Sequence, residues 1–203
     1  MRDISKELKF VWDFQETFGH MQTTEITKGT QDKRKLRLNL FLEELGELHK
    51  ATYENDKVEQ LDAVIDMLYI LLGSVHYHGL GSMFNEFIAG ENDHQNTPIN
   101  NYPTELSIIL QTGQIKDKYI YGNITYSELL MLHVELCSTV LSLFNKLELE
   151  GVILNKVFAS AFLEVHQSNM SKLDDNGKPI FRADGKILKS KNYFKPNLSQ
   201  FIK

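Results

Sequence analysis

"LFLEELGELHKATYENDKVEQLDAVIDMLYILLG", residues 40–73, decides the fold. Two runs with apolar residues at every third or fourth position flank the short polar stretch Glu54–Lys57. That stretch is only long enough to turn the chain. A helix over about residues 33–53 and another over about 58–77 must therefore lie side by side as an antiparallel hairpin. At 100° per residue, Leu38, Phe41, Leu45, Leu48 and Thr52 line one stripe of the first helix. Glu44 and Glu47 fall beside that stripe, and Glu43 points further round. On the second helix Leu61, Val64, Ile65, Leu68, Leu72 and Val75 form the main stripe. Glu59, Asp62 and Asp66 share another face, which Tyr69 and Gly73 continue.

The hairpin thus offers up to six carboxylates to one groove. Glutamates on a helix usually sit in water, so the first cluster alone says little. Aspartate is a poor helix former, and two of them one turn apart in an apolar helix need a partner. Like charges in a groove of low dielectric repel, and a hard divalent cation relieves this. Oxygen-only donors favour Mg²⁺, with Mn²⁺ as the alternative ion; no His or Cys shares these faces, which disfavours zinc. A di-iron bundle needs two Glu-x-x-His motifs on helices. The chain has one, Glu91 to His94, in an expected loop.

Outside the hairpin the pattern is helical nearly throughout. "DISKELKFVWDFQETFG" carries Leu8, Val11, Trp12 and Phe18 at helical spacing, with Gly19 as a stop, and residues 20–31 read as a connector. Residues 79–102 read as irregular, and Pro103 opens a helix over "TELSIILQTG". Thr125 and Glu128 form a capping box before a long helix ended by Gly151, and a last helix covers residues 152–172. Two Asp/Asn-Gly signals and alternating apolar residues in "DDNGKPIFRADGKILKSKNYFKP" predict a small β-hairpin. At 203 residues the chain is expected to form one domain with a single core. The net charge of −5 gives no electrostatic case for a nucleic-acid partner. With no apolar leader and no apolar run near the length of a membrane span, no membrane partner is expected. Cys137 is the single cysteine, which points to a reducing, cytoplasmic setting and a small buried apolar role. His76, His78, His133 and His166 have no evident carboxylate partner and read as packing residues, as does Tyr69.

"EELGE" (43–47) followed by "EQLDAVIDMLYILLG" resembles the EExxE and acidic second motif of the all-α nucleoside-triphosphate pyrophosphatases. These are the MazG-like proteins and their relatives, the phosphoribosyl-ATP pyrophosphohydrolases and the dimeric dUTPases. "EVHQSNMSKLDDNGKPIFRADGKILKSKNYFKP", residues 164–196, is similar to the tail of the phosphoribosyl-ATP-pyrophosphohydrolase-like branch. The resemblance covers roughly residues 3–80 and 152–200. It implies Mg²⁺-dependent hydrolysis of a nucleoside triphosphate to the monophosphate and pyrophosphate, in nucleotide-pool house-cleaning. By motif, Glu44, Glu47 and Asp66 are similar to metal ligands, with Asp62 or Glu59 completing the set. Glu43 is similar in place to the residue that orients or deprotonates the attacking water, and Asn169 and Lys172 to nucleotide contacts. Phosphoribosyl-ATP is the alternative substrate, and an inactive binding or assembly module is the alternative of another class. Two departures stand out. The family glutamate three residues before Asp66 is Ala63 here, and a helical insert at about 85–150 separates the hairpin from the "EVHQSNMSK" helix.

Residues 172–195 hold seven basic and three acidic residues, +4 locally, which leaves about −9 on the rest of the chain. An acidic groove and a basic tail (about 172–203) suit a triphosphate, and Lys189 joins Lys172 among the expected phosphate contacts. The expectation is an all-α helical bundle with a short C-terminal β-hairpin. A homo-oligomer is also expected, a dimer or else a tetramer, because the tail could reach a neighbour's groove.

Overall fold

The computed structural model describes residues 2–91, 113 and 116–203. Six α-helices are named here among them: α1 (Ser5–Thr17), α2 (Gln31–Glu54), α3 (Lys57–Tyr77), α4 (Gly81–Glu91), α5 (Tyr126–Leu149) and α6 (Phe158–Met170). Residues 116–121 are also helical, and a 3-10 turn, Leu198–Phe201, comes near the C-terminus. The described residues contain no multi-residue strand, so the architecture is all-α.

The predicted hairpin forms for local reasons. Asn55 takes a left-handed conformation (φ 55°), which ends α2, and the next residue, Asp56, caps α3 by accepting from the amides of Val58 and Glu59 at 3.1 Å each. One residue stops a helix and its neighbour starts the next. α3 then becomes the centre of the molecule, packed by α2, α5, α1, α6 and α4. Leu61, Leu68, Leu72 and Val75 are buried, and so are Ala63, Met67 and Leu71 on other sides of the same helix. Burial of each Leu, Val or Met side chain among them contributes about 2 kcal/mol. What remains partly open is the line of Asp62, Asp66 and Ile70.

Within the insert, α5 lays Leu129, Cys137, Val140 and Phe144 against the core. Its capping box forms as read: Thr125 Oγ1 accepts from the Glu128 amide at 3.1 Å, and Glu128 accepts from the Thr125 amide at 2.8 Å. By length and composition α5 could cross a membrane, but 56% of that apolar window is buried inside the protein, as in a core helix. Arg34, on α2, ties the loop before α2 to residues 116–121. It donates to the carbonyls of Lys28 and Gly29 at 2.8 and 2.6 Å and to that of Ile120 at 3.0 Å.

Three expectations change. Within 79–102, residues 81–91 are helical, because Phe84 and Ile88, one turn apart, both bury in the core. The last helix begins at Phe158 rather than 152. Val152 and Leu154 instead pair with the C-terminus, Leu154 N donating to Phe201 O at 2.8 Å and Lys203 N to Val152 O at 3.2 Å. The C-terminal β-hairpin is reduced to one antiparallel bridge, Phe181 with Ile187. Beyond it the chain is drawn away by polar anchors at the end of α6: Ser190 Oγ donates to Leu173 O at 2.7 Å, and Ser168 Oγ to Phe194 O at 2.8 Å. The irregular stretch 92–102, His94 within it, and the helix expected after Pro103 lie outside the described residues, Gly113 apart.

Candidate functional site

The α2–α3 hairpin brings the acidic residues together as the spacing predicts. Glu44 on α2 and Asp62 and Asp66 on α3 are partly buried, while Glu43 and Glu47 stay at the exposed rim. Burial and then the neighbouring Asp66, Glu47 and Asp62 push the Glu44 carboxyl up to about 9. Burial, then Asp66 and Glu59, raise Asp62 to about 7. Asp66 is raised by burial as well, opposed by Lys172 and by a hydrogen bond from Asn169. Ala63, at the family's glutamate position, is buried in the core, so the helical step to Asp62 is what faces the groove.

The tail covers this groove within its own chain. Lys186 pairs with Glu43, and Lys195 pairs with Glu59. Lys172 donates to Asn169 Oδ1 at 2.5 Å, which turns the Asn169 amide nitrogen toward Asp66. Burial lowers the Lys172 ammonium while Asp66 favours its charge. Lys189 stacks its ammonium 4.4 Å from the Tyr193 ring and lies near enough to favour the charged form of Asp66. Lysines thus supply the counter-charge in a groove that carboxylates dominate.

A hard divalent cation matches this donor set. The donors are all oxygens, they repel one another, and Asp62 Oδ1 is buried with no hydrogen-bond partner. Among the described residues no three of them already close on a point at metal-binding spacing.

A cavity of about 160 Å³ is lined by Glu44 and Asp66. Asn169, Lys172, Lys186 and Ile187 also line it, as do Phe14, Gln15, His20, Arg37, Tyr69 and Gly73. Phe14 and Tyr69 meet edge to face at 5.4 Å, and Tyr69 Oη is 3.0 Å from His166 Nδ1. Sequence reasoning missed Gln15, His20 and Arg37. A signal existed for two of them. Arg37 stands two turns before Glu44 on the same face of α2, and Gln15 interrupts the apolar stripe of α1.

The sequence family described as phosphoribosyl-ATP pyrophosphohydrolase matches residues 11–90. The chain is also similar to a protein of Acanthamoeba polyphaga mimivirus described as "Uncharacterized protein L479". That relative is 28% identical over 242 aligned positions, which cover 95% of this chain and 94% of the relative. No solved structure matches the chain. Residues 11–90, which hold all the carboxylates of the groove, are a phosphoribosyl-ATP-pyrophosphohydrolase family domain of MazG-like all-α fold.

Proposed function

We propose that this chain hydrolyses a nucleoside triphosphate to the monophosphate and pyrophosphate, with Mg²⁺ as the cofactor and with nucleotide-pool house-cleaning as the role. The observation that carries this reading is a single cavity lined by Glu44 and Asp66 together with Lys172 and Lys186. Carboxylates and lysines in one cavity suit a ligand that arrives as a metal–polyphosphate complex. Glu44, Glu47, Asp62 and Asp66 would hold Mg²⁺, with Glu59 at the edge. When bound, the cation neutralises phosphate charge and polarises the bond to be cleaved. Lys172, Lys186 and Lys189 bind outer phosphate oxygens, and Asn169 holds Lys172 in place.

In the reaction a water oxygen bonds to phosphorus and the α–β anhydride bond breaks. The water loses a proton, and pyrophosphate leaves with the bridging oxygen. We assign the proton to Glu43, whose exposed carboxylate is paired with Lys186. A phosphate that competes for Lys186 frees Glu43 to act as base. The test is pyrophosphate release from a panel of nucleoside triphosphates and phosphoribosyl-ATP, with and without Mg²⁺. Release that requires Mg²⁺ is expected. No release from any of them would leave the fold as a binding module.

A further inference from the structure

Away from the carboxylates the cavity is lined by two residues with buried, unpartnered polar atoms, Gln15 and His20. Gln15 is 2% exposed, and its Nε2 donates to the carbonyl of Gly73 at 2.8 Å. A carbonyl only accepts, so this bond fixes the amide orientation and leaves Oε1 as an acceptor. Oε1 is buried and has no partner. Arg37 stands beside it: a Cβ built at Gly73 would come 2.8 Å from Arg37 Nη1 and 3.1 Å from Gln15 Nε2. Among the described residues no carboxylate is paired with the Arg37 guanidinium; Tyr119 and Tyr77 are its neighbours, the Tyr77 ring 5.5 Å away. His20 Nε2 is likewise buried and unpartnered, and burial keeps that imidazole neutral, with its pKa lowered to about 4. Phe14 and Tyr69 supply apolar walls.

A guanidinium fork with two parallel donors seeks two adjacent acceptors. A second phosphate on the ligand would want donors on every side, and the Gln15 oxygen is the wrong neighbour for one. The aromatic walls of Phe14 and Tyr69 suit a nucleobase. Guanine offers N7, O6 and N1–H in order, and cytosine offers O2, N3 and N4–H. Both read acceptor, acceptor, donor. Adenine (N7, N6–H, N1) and thymine or uracil (O2, N3–H, O4) read acceptor, donor, acceptor, which sets an N–H against the fork.

We propose that Arg37 and Gln15 are specificity-determining residues that select guanine and cytosine nucleotides, the fork of Arg37 taking the two adjacent acceptors and Gln15 Oε1 the donor that follows. Gly73 keeps the space in which the two side chains meet. The proposal rests on the nucleotide-hydrolase reading of the same cavity.

The experiment is calorimetric binding of dGMP, dCMP, dAMP and dTMP to the full chain in Mg²⁺, alongside pyrophosphate release from the four triphosphates. Guanine or cytosine nucleotides, or both, should bind about tenfold or more tighter than adenine and thymine ones, the order of one bidentate base contact. Arg37→Lys keeps the buried charge but not the fork, and it should erase that ranking with the thermal melt unchanged. Gln15→Met, which leaves Arg37 intact, should also weaken it. Equal binding of all four bases, a preference for adenine or thymine, or a ranking that survives Arg37→Lys would overturn the proposal while leaving the hydrolase reading intact. Failure to bind any of the four would overturn both.

Discussion

Glu44 concentrates the conflict in the site. It is partly buried, flanked by Asp66, Glu47 and Asp62, and Lys186 is the least of the influences on its titration. An amide of the same shape removes that conflict. Glu44→Gln should raise the thermal midpoint of the ion-free protein by about 2–4 °C, from about 1 kcal/mol after allowance for solvent screening. The same change should lower Mg²⁺-dependent turnover about a hundredfold, since it removes a charge proposed to hold the cofactor. Melting curves and pyrophosphate release check the two halves separately. Turnover at the wild-type level would remove Glu44 from the proposed ligand set.

Between α2 and α3 the connection does more than its length suggests. Asp56 accepts two amide hydrogen bonds at the start of α3, and Asn55 closes α2 in a left-handed conformation. The angle between the two acidic faces depends on that turn. Asp56→Ala should cost about 1 kcal/mol and lower the melting midpoint by about 2–4 °C. It should also raise the Mg²⁺ concentration needed for half-maximal turnover, because the α3 carboxylates lose their fixed position against Glu44. A variant that melts lower but needs no more Mg²⁺ would show that packing along α3 alone sets the groove.

For the molecule as a whole, the groove should be visible in the pH dependence of stability. Burial lowers His20 and His133 to about 4 and His78 to about 3, and lowers His76 and His166 as well. Unfolded imidazoles still bind protons near the ordinary value of about 6.5, so only above about pH 7.5 are these groups neutral whether the chain is folded or not. The raised carboxyls of Glu44 and Asp62 then set the slope. In that range the folded chain retains protons that the unfolded chain has lost, so stability falls as pH rises toward 9. Lys172, lowered by burial, works in the opposite sense toward the alkaline end, so the fall is best read between about pH 7.5 and 8.5, above the histidine range. Denaturant midpoints across that range should decline without Mg²⁺ and flatten with it; a rise would contradict the raised carboxyls. The tail bears on assembly too. Lys172, Lys186 and Lys195 reach carboxylates of their own chain, so a groove shared between subunits is not needed to bring them there. Mixing an Asp66→Asn chain with a Lys172→Ala chain, with exchange demonstrated, should restore no activity. Recovered activity would mean that the tail crosses to a partner.

The sequence by itself determined the hairpin, its turn, the capping box at Thr125, the buried state of Cys137 and the carboxylates that meet. Each of these depends on residues within a few turns of one another, where periodicity and capping chemistry act directly. It misjudged α4, where glycines at 79 and 81 read as loop while Phe84 and Ile88 waited for a core to bury in. It also extended the last helix over 152–157 and expected a hairpin in the tail, because backbone pairing with residues 201–203 and the serine anchors on α6 come from far along the chain. Arg34, Arg37 and Gln15 were legible only as residue types. What Arg34 ties together, and that Arg37 and Gln15 meet at Gly73 in the lining of a cavity, is decided by the packing of α1 and α2 on α3. Residues far apart in sequence share a site only once a common core has brought their helices together.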